Sequence, residues 1–347
     1  MDIRHTFWCA LYDMMRKTEE GLYMKKLRIL MDCDTGTDDA IALVCAANTP
    51  NVELRAVTTV AGNADLCFTA PNTLNLMRYI GCPVKVSKGA EAPIKRVLSE
   101  IREKVDEEAG QIDTHGDNGL GGIVLPEAKD GFYPLDAVDT IYEEAKACGG
   151  ELVIIATGPL TNIANAITKH PELKDGLIKK IVFMGGAAKG GNTTAVAEFN
   201  WLCDPEAAHI VLMSEIPCVM VGLDVTEKAE LSDEFCDRVR TLRSNGAKVC
   251  SEILEFMRAR RDAHGGESTL MHDGLALAAA VIPDVVSCRH LFVDAECDGK
   301  YTFGHSFVAF DNRLGDFTPN CDVALEVNVK MLEEYMWDCL IRSEEKR

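Results

Sequence analysis

Apolar runs of strand length alternate with stretches of helical period along most of this chain, and that alternation narrows the possible folds most. "LRILMDC" (27–33), "VELRAVTTV" (52–60), "ELVIIAT" (151–157), "LIKKIVFMGG" (177–186) and "IPCVMVGLD" (216–224) read as strands. Their side chains are apolar in succession rather than at every second position, as in strands covered on both faces. Helices are predicted between them: "DDAIALVCAAN" from Asp38, with acids in its first turn; the stretch from Gly62 to Gly81; "LDAVDTIYEEAKACGG", with a glycine stop; and "GPLTNIANAITKHP". "DPEAAHIVLMS" adds Asp204 as an N-cap with Pro205 at the first helical position. A long helix over about 232–262, a helix starting on Asp273 and a last one over 329–342 follow. Residues 83–87, 291–294, 302–309 and 323–327 read as extended, and 98–108 as a charged, helix-like piece. The alternation predicts an α/β fold, an open and mostly parallel sheet with helices on both faces. Met24 opens a basic start that runs straight into the first strand. Residues 24–347 are therefore taken as one domain and 1–23 as an N-terminal extension, an amphipathic helix docked on it.

The net charge is −19, with a pI near 4.9. Such a surface repels polyphosphates and anionic membranes, which argues against a nucleic-acid polymer or a membrane as partner and favours a small neutral molecule or a cation-assisted reaction. The fourteen cysteines include no C-x-x-C pair, and Cys45, Cys218, Cys250 and Cys339 sit in apolar surroundings. They read as buried free thiols of a reducing, cytoplasmic compartment rather than a zinc or disulfide framework. No apolar run approaches the length of a membrane span. The patch "TFWCALY" lacks the small-residue cleavage site of a signal peptide.

In open α/β sheets, ligands sit beyond the carboxyl ends of the strands. The residues expected to converge there are Asp32 to Asp39, Asn63, Thr157, Met184 to Asn192, and Asp224. The first group is unusual. "ILMDCDTGTDDAIAL" places Asp32, Asp34, Asp38 and Asp39 within eight positions, and carboxylates that close call for a counter-charge. An EF-hand loop needs Gly at its sixth position and Glu at its twelfth; here Thr37 and Leu43 stand there. The strand-end motif of haloacid-dehalogenase-like, Mg²⁺-dependent phosphohydrolases is nearly matched by "ILMDCDTG", but it leaves Asp38-Asp39 unexplained and no later acidic motif with a supporting lysine is evident. A hard-cation site of oxygen ligands, with one carboxylate serving as a base, uses Asp34, Asp38 and Asp39 on the loop and first helical turn, with neighbouring strand ends adding a backbone carbonyl and one more carboxylate.

Further along, "VAEFNWLCDPEAA" carries Glu198 and Asn200 after a glycine-rich turn, and "LMHDGLALAAAV" places His272 and Asp273 at a helix start. Alone, each reads as a cap or a core residue. Together they supply acceptors for several hydroxyls and one group that titrates near neutral pH.

Taken in order, these motifs resemble the inosine–uridine-preferring nucleoside hydrolases, which cleave ribonucleosides to ribose and free base. The resemblance rests on "DCDTGTDDA" (32–40), "VAGN" (60–63), "TGPLTNIA" (157–164), "MGGAAKGGN" with "AEFN" (184–200), "DPEAAHIV" (204–211), "GLDVT" (222–226) and "HD" (272–273), and it spans residue 24 to the end. It implies a Rossmann-like nucleoside hydrolase fold. It also implies a Ca²⁺ ion held by Asp34, Asp39, the Thr157 carbonyl and Asp273, with Asp34 as general base toward water. Asp38 and Asn200 would take the ribose 2′-hydroxyl, Asp273 the 3′-hydroxyl, and Asn192 and Glu198 the 5′-hydroxyl. Asn63 would support the metal loop or the sugar, Met184 would line the sugar site, and His272 would be the acid on the base side. A homodimer or homotetramer is implied as well. A protein that binds ribose or a nucleoside without turnover is the non-enzymatic alternative.

Two positions depart from the family pattern. Thr35 and Gly274 stand where it usually has proline, so the metal loop loses a fixed φ and the helix after His272 a preferred first residue. The base pocket is expected from 88–135, with His115 in "THGDNGLGG", and from 226–271, with "RARRDAHGGEST". Trp201 should pack away from the sugar, in the core.

Overall fold

The structure, a computed structural model, describes residues 26–345 apart from 97, 100, 102–114, 117, 265–268, 312–314 and 316. The first half runs β1 (Leu27–Cys33), α1 (Thr37–Asn48), β2 (Val52–Thr59), α2 (Leu66–Tyr79), β3 (Lys85–Lys88), α3 (Ala137–Cys148), β4 (Leu152–Ala156) and α4 (Thr161–Lys169). It continues with β5 (Ile178–Met184), α5 (Phe199–Cys203), α6 (Pro205–Leu212), β6 (Cys218–Val221) and α7 (Leu223–Thr226). The last part holds α8 (Asp233–Val239), α9 (Asn245–His264), α10 (His272–Val281), β7 (Val286–Ala295), β8 (Ser306–Ala309), β9 (Cys321–Val327) and α11 (Val329–Glu345).

The nine strands form one sheet in the order β3-β2-β1-β4-β5-β6-β9-β7-β8. β1 to β6 and β9 pair in parallel, while β7 lies antiparallel to both β9 and β8. The predicted mostly parallel α/β sheet is thus observed. From β1 the chain winds outward to β3, then returns to the other side of β1 with β4. The reversal opens a crevice at the carboxyl ends of β1 and β4, the place where such sheets bind ligands. Asp34 and Thr157 follow those two strands directly.

Alternation along β1 sends Ile29 and Met31 into one core and Leu30 into the other. The first core is closed by α1, α9, α10 and α11, the second by α3, α4 and α6. Burying both faces is what the continuous apolar runs required. Trp201 is 1% exposed and packs near Phe183 in the second core, as expected.

Local chemistry accounts for most boundaries. Asp204 accepts from the Ala207 N–H (3.1 Å) and Pro205 opens α6. α3 stops at Gly149, which is left-handed (φ 59°). The long helix expected over 232–262 is two helices. Ser244 caps the second by accepting from the Ala247 N–H (3.1 Å), and the Glu344 carboxylate of α11 takes the Arg243 and Ser244 N–H groups. α10 begins at His272, one residue early, and β7 begins at Val286 rather than at 291. Leu223 and Asp224, expected to end a strand, instead open a helical turn, α7. The extension over 1–23, most of the piece over 98–108 and part of 258–269 lie outside the described residues. Among the described residues every cysteine is free, and no helix is long and apolar enough to cross a membrane.

Candidate active site

The acids converge because several backbone ends meet at the switch point. β1 releases Asp34, and Asp38 and Asp39 follow in the first turn of α1, where unpaired N–H groups and the helix dipole favour negative charge. The Gly36 N–H donates to Asp39 Oδ2 (2.8 Å), and the Thr157 hydroxyl donates to Asp39 Oδ1 (2.6 Å). Asn63, in the loop after β2, bridges two acids: its N–H donates to Asp34 Oδ2 (2.7 Å) and its amide to Asp39 Oδ2 (3.2 Å). The start of α10 adds Asp273. Carboxylate oxygens of Asp38, Asp39 and Asp273 lie within 4.8 Å of one another, and all three residues are buried. Asp34 stands one step away, joined to this group through Asn63. The loops close on it because Gly62 and Gly158 have no side chain: a Cβ on either would run into the Asp34 carboxylate.

No Lys or Arg among the described residues is paired with these acids, and the electrostatics show the strain of collecting them. Burial first, then the charge of Asp39, raises the Asp34 carboxyl well above the usual range. Burial and the charge of Asp38 push Asp39 up to about 6. Burial and the charges of Asp38, Asp39 and Asp34 hold Asp273 well above its ordinary value. Asp34 Oδ1 is buried without a hydrogen-bond partner among the described residues. An unsatisfied buried oxygen beside three converging carboxylates fits a hard divalent cation, which takes oxygen ligands and needs no basic side chain.

A pH signature follows. A carboxyl whose pKa is raised by folding contributes stability below its unfolded value, 3.8, and loses it as pH climbs through the folded value, about 6 for Asp39. Ion-free protein is therefore expected to melt lower at pH 8 than at pH 5.5. Millimolar Ca²⁺ should raise the melting temperature much more at pH 8 than at pH 5.5, because fewer protons then compete with the ion for Asp39. A Ca²⁺ shift that is the same at both pH values would contradict this.

The other expected residues surround this group. Asn200, on α5, donates from its amide to the Thr157 carbonyl (2.9 Å) and to the Met184 carbonyl (3.3 Å). The Thr157 oxygen, expected as a metal ligand, thus already accepts one hydrogen bond and keeps a second lone pair. Glu198 caps α5 and accepts from the N–H groups of Gly186 (2.9 Å), Asn200 (2.9 Å) and Trp201 (3.1 Å). Burial pushes its carboxyl up to about 7. Asn192 is exposed and accepts from the Phe199 N–H (3.1 Å). His272 is half-buried at the start of α10, next to Asp273. His115 lies over the N-terminus of α1, its Nδ1 3.2 Å from the Thr37 nitrogen.

Asp32 had been assigned no role. It is fully buried; its Oδ1 accepts from the Thr58 hydroxyl (2.5 Å) and the Asn162 amide (2.8 Å), and its carbonyl accepts from the Thr157 N–H (2.8 Å). It ties the ends of β1, β2 and β4 together beneath the acids. The one trace in the sequence was a carboxylate inside an otherwise apolar strand.

Fold and site together define a class: a doubly wound α/β protein with a buried group of aspartates, able to hold a cation, at its topological switch point. The chain belongs to the inosine-uridine preferring nucleoside hydrolase family, whose model matches residues 29–334. It is accordingly a nucleoside hydrolase, an enzyme acting on N-glycosyl bonds, and not a phosphohydrolase of the haloacid-dehalogenase type. It is 38% identical over 303 residues to the pyrimidine-specific ribonucleoside hydrolase RihA of Photobacterium profundum, covering 86% of this chain and 94% of that protein. Among solved structures it resembles the purine-preferring ribonucleoside hydrolase from Gardnerella vaginalis (TM-score 0.82, 32% identity, 92% of this chain and 99% of that one). It also resembles the plant nucleoside hydrolase PpNRh1 (TM-score 0.80, 25% identity, with the same coverage).

Proposed function

We propose that this chain hydrolyses ribonucleosides to ribose and free base, with Ca²⁺ held by Asp34, Asp39, Asp273 and the Thr157 carbonyl. The observation that carries this is the buried convergence of Asp38, Asp39 and Asp273 beside the unpartnered oxygen of Asp34. A bound divalent cation supplies positive charge that grips a sugar diol and makes a neighbouring water more acidic. Asp34 accepts the proton of the attacking water. Asp38 and Asn200 orient the 2′-hydroxyl, Asp273 the 3′-hydroxyl, and Asn192 and Glu198 the 5′-hydroxyl, while Met184 and Asn63 shape the wall around them. Breaking the N-glycosidic bond builds positive charge on the ribose ring, and flanking carboxylates stabilise that state more than the neutral substrate. His272 gives a proton to the departing base.

The test is a panel of inosine, uridine, cytidine, adenosine and guanosine assayed for reducing-sugar release, with nucleotides assayed in parallel for phosphate release. Both base classes belong in it, since one relative carries a pyrimidine-specific name and one structural neighbour a purine-preferring one. Sugar release is expected, and phosphate release is not. The 2′-deoxy analogue of the best substrate should fall by about 10²-fold or more in kcat/KM, because the groups built for the diol are left unpaired. Equal rates on both would remove the diol from the account.

His272→Ala should cost about 10²–10⁴-fold with inosine, the range for a lost general acid. It should cost far less with p-nitrophenyl riboside, whose leaving group needs no proton. Equal losses on the two substrates would show that His272 does not protonate the base.

A further inference from the structure

The turn after β5 is anchored in a way the reaction steps above do not use. Three successive backbone N–H groups donate to side-chain oxygens from three different parts of the chain. The Gly186 N–H bonds Glu198 Oε2 (2.9 Å), the Ala187 N–H bonds Ser306 Oγ (3.0 Å), and the Ala188 N–H bonds Asp224 Oδ2 (2.6 Å). Ser306 comes from the antiparallel strand β8 and is 1% exposed; Asp224 comes from α7. The seat is tight as well. Gly186 is left-handed (φ 70°), and a Cβ there would lie 2.7 Å from Ser306 Oγ; one on Gly185 would lie 2.9 Å from the Trp201 ring.

From this seat the chain loops through Asn192 and folds back, with the Thr193 and Thr194 N–H groups both donating to the Ala197 carbonyl (3.2 Å each). Asn192 Oδ1 accepts from the Phe199 N–H (3.1 Å), which closes the loop on the start of α5. Asn192 and Glu198 therefore sit in one loop whose base is fixed by β8 and α7. The Ala187 N–H is buried and the Ala188 N–H half-buried, so losing the acceptor costs more at Ser306 than at Asp224, and in both cases the turn shifts before the sheet is disturbed.

We propose that Ser306 and Asp224 are positioning residues for the 5′ end of the substrate ribose. They hold the Gly186–Ala188 turn so that Asn192 and Glu198 meet the 5′-hydroxyl. The inference rests on the assignment of that hydroxyl to Asn192 and Glu198 above.

The experiment compares kcat/KM for the best ribonucleoside of the panel and its 5′-deoxy analogue, in Ca²⁺-loaded wild type, Ser306→Ala, Asp224→Ala and Asp224→Asn. Wild type should prefer the 5′-hydroxylated substrate by about tenfold or more. The two alanine variants should lose about tenfold on that substrate and less than about twofold on the 5′-deoxy analogue. Asp224→Asn keeps an acceptor oxygen and should stay near wild type on both. Equal losses on the two substrates would overturn the positioning role while leaving the 5′-hydroxyl assignment standing. A wild type that does not discriminate would instead overturn that assignment, and the inference with it. Melting curves establish that each variant is folded. If Ser306→Ala is not, Ser306→Cys, similar in size and a poorer acceptor, takes its place under the same comparison.

Discussion

Asp34→Asn is expected to lower kcat by about 10²–10⁴-fold, the range for a positioned general base. The substitution is nearly isosteric. It keeps an oxygen to accept the Asn63 N–H (2.7 Å in the parent) and so keeps the loop after β2 in place. What it removes is the capacity to take a proton from water. Because Asp39 and Asp273 remain, the variant should still bind the ion, more weakly by the loss of one charge, and saturating Ca²⁺ should not restore turnover. With the ribose contacts assigned in the proposal to Asp38, Asn200 and Asp273 left intact, KM should change little. A variant that regains wild-type kcat at high Ca²⁺ would make Asp34 a ligand only.

Removing the ion is the second large effect. With Asp34, Asp38, Asp39 and Asp273 all buried, and no basic side chain paired with them among the described residues, the ion-free site at neutral pH must carry either uncompensated charge or extra protons. Both states disfavour a bound diol. Stripping the ion should reduce turnover to background and lower the melting temperature. An ion at 100 times its Kd contributes about 2.7 kcal/mol of stability, and chelation withdraws it. Asp39→Asn should mimic chelation in part. One Asp39 oxygen carries the Thr157 hydroxyl and the other the Gly36 and Asn63 donors, so the amide cannot satisfy all three and also ligate.

The layout of the sheet was legible because burial on both faces writes itself into β4 and β6, and into Ile29–Met31 of β1 and Ile181–Met184 of β5, as unbroken apolar runs. The acid cluster was legible for the opposite reason: four carboxylates in eight positions have no place in a core without a partner of opposite charge. Features set by contacts between distant positions were not legible. The break between α8 and α9 depends on Glu344 of α11 reaching the Arg243 and Ser244 N–H groups, about a hundred positions away in sequence. The hydrogen bond from Asn200 to the Thr157 carbonyl joins two residues that had been given separate tasks, one for the sugar and one for the metal. Glu198 had been assigned to the substrate alone, yet its carboxylate also organises the start of α5 and the turn at Gly186. Asp32 went unassigned because its partners, Thr58 at the end of β2 and Asn162 in the first turn of α4, lie far from it in sequence.

The central claim is that the acids after β1 and at the start of α10 grip a divalent ion on which turnover depends. The most direct measurement is a calorimetric titration of Ca²⁺ into chelator-stripped protein, with sugar release from the best ribonucleoside followed on the same samples. The account predicts one site per chain, activity recovered in step with its occupancy, and a loss of affinity of at least about 10²-fold in Asp39→Asn. Stripped protein that takes up no ion yet hydrolyses nucleoside at the full rate would contradict it.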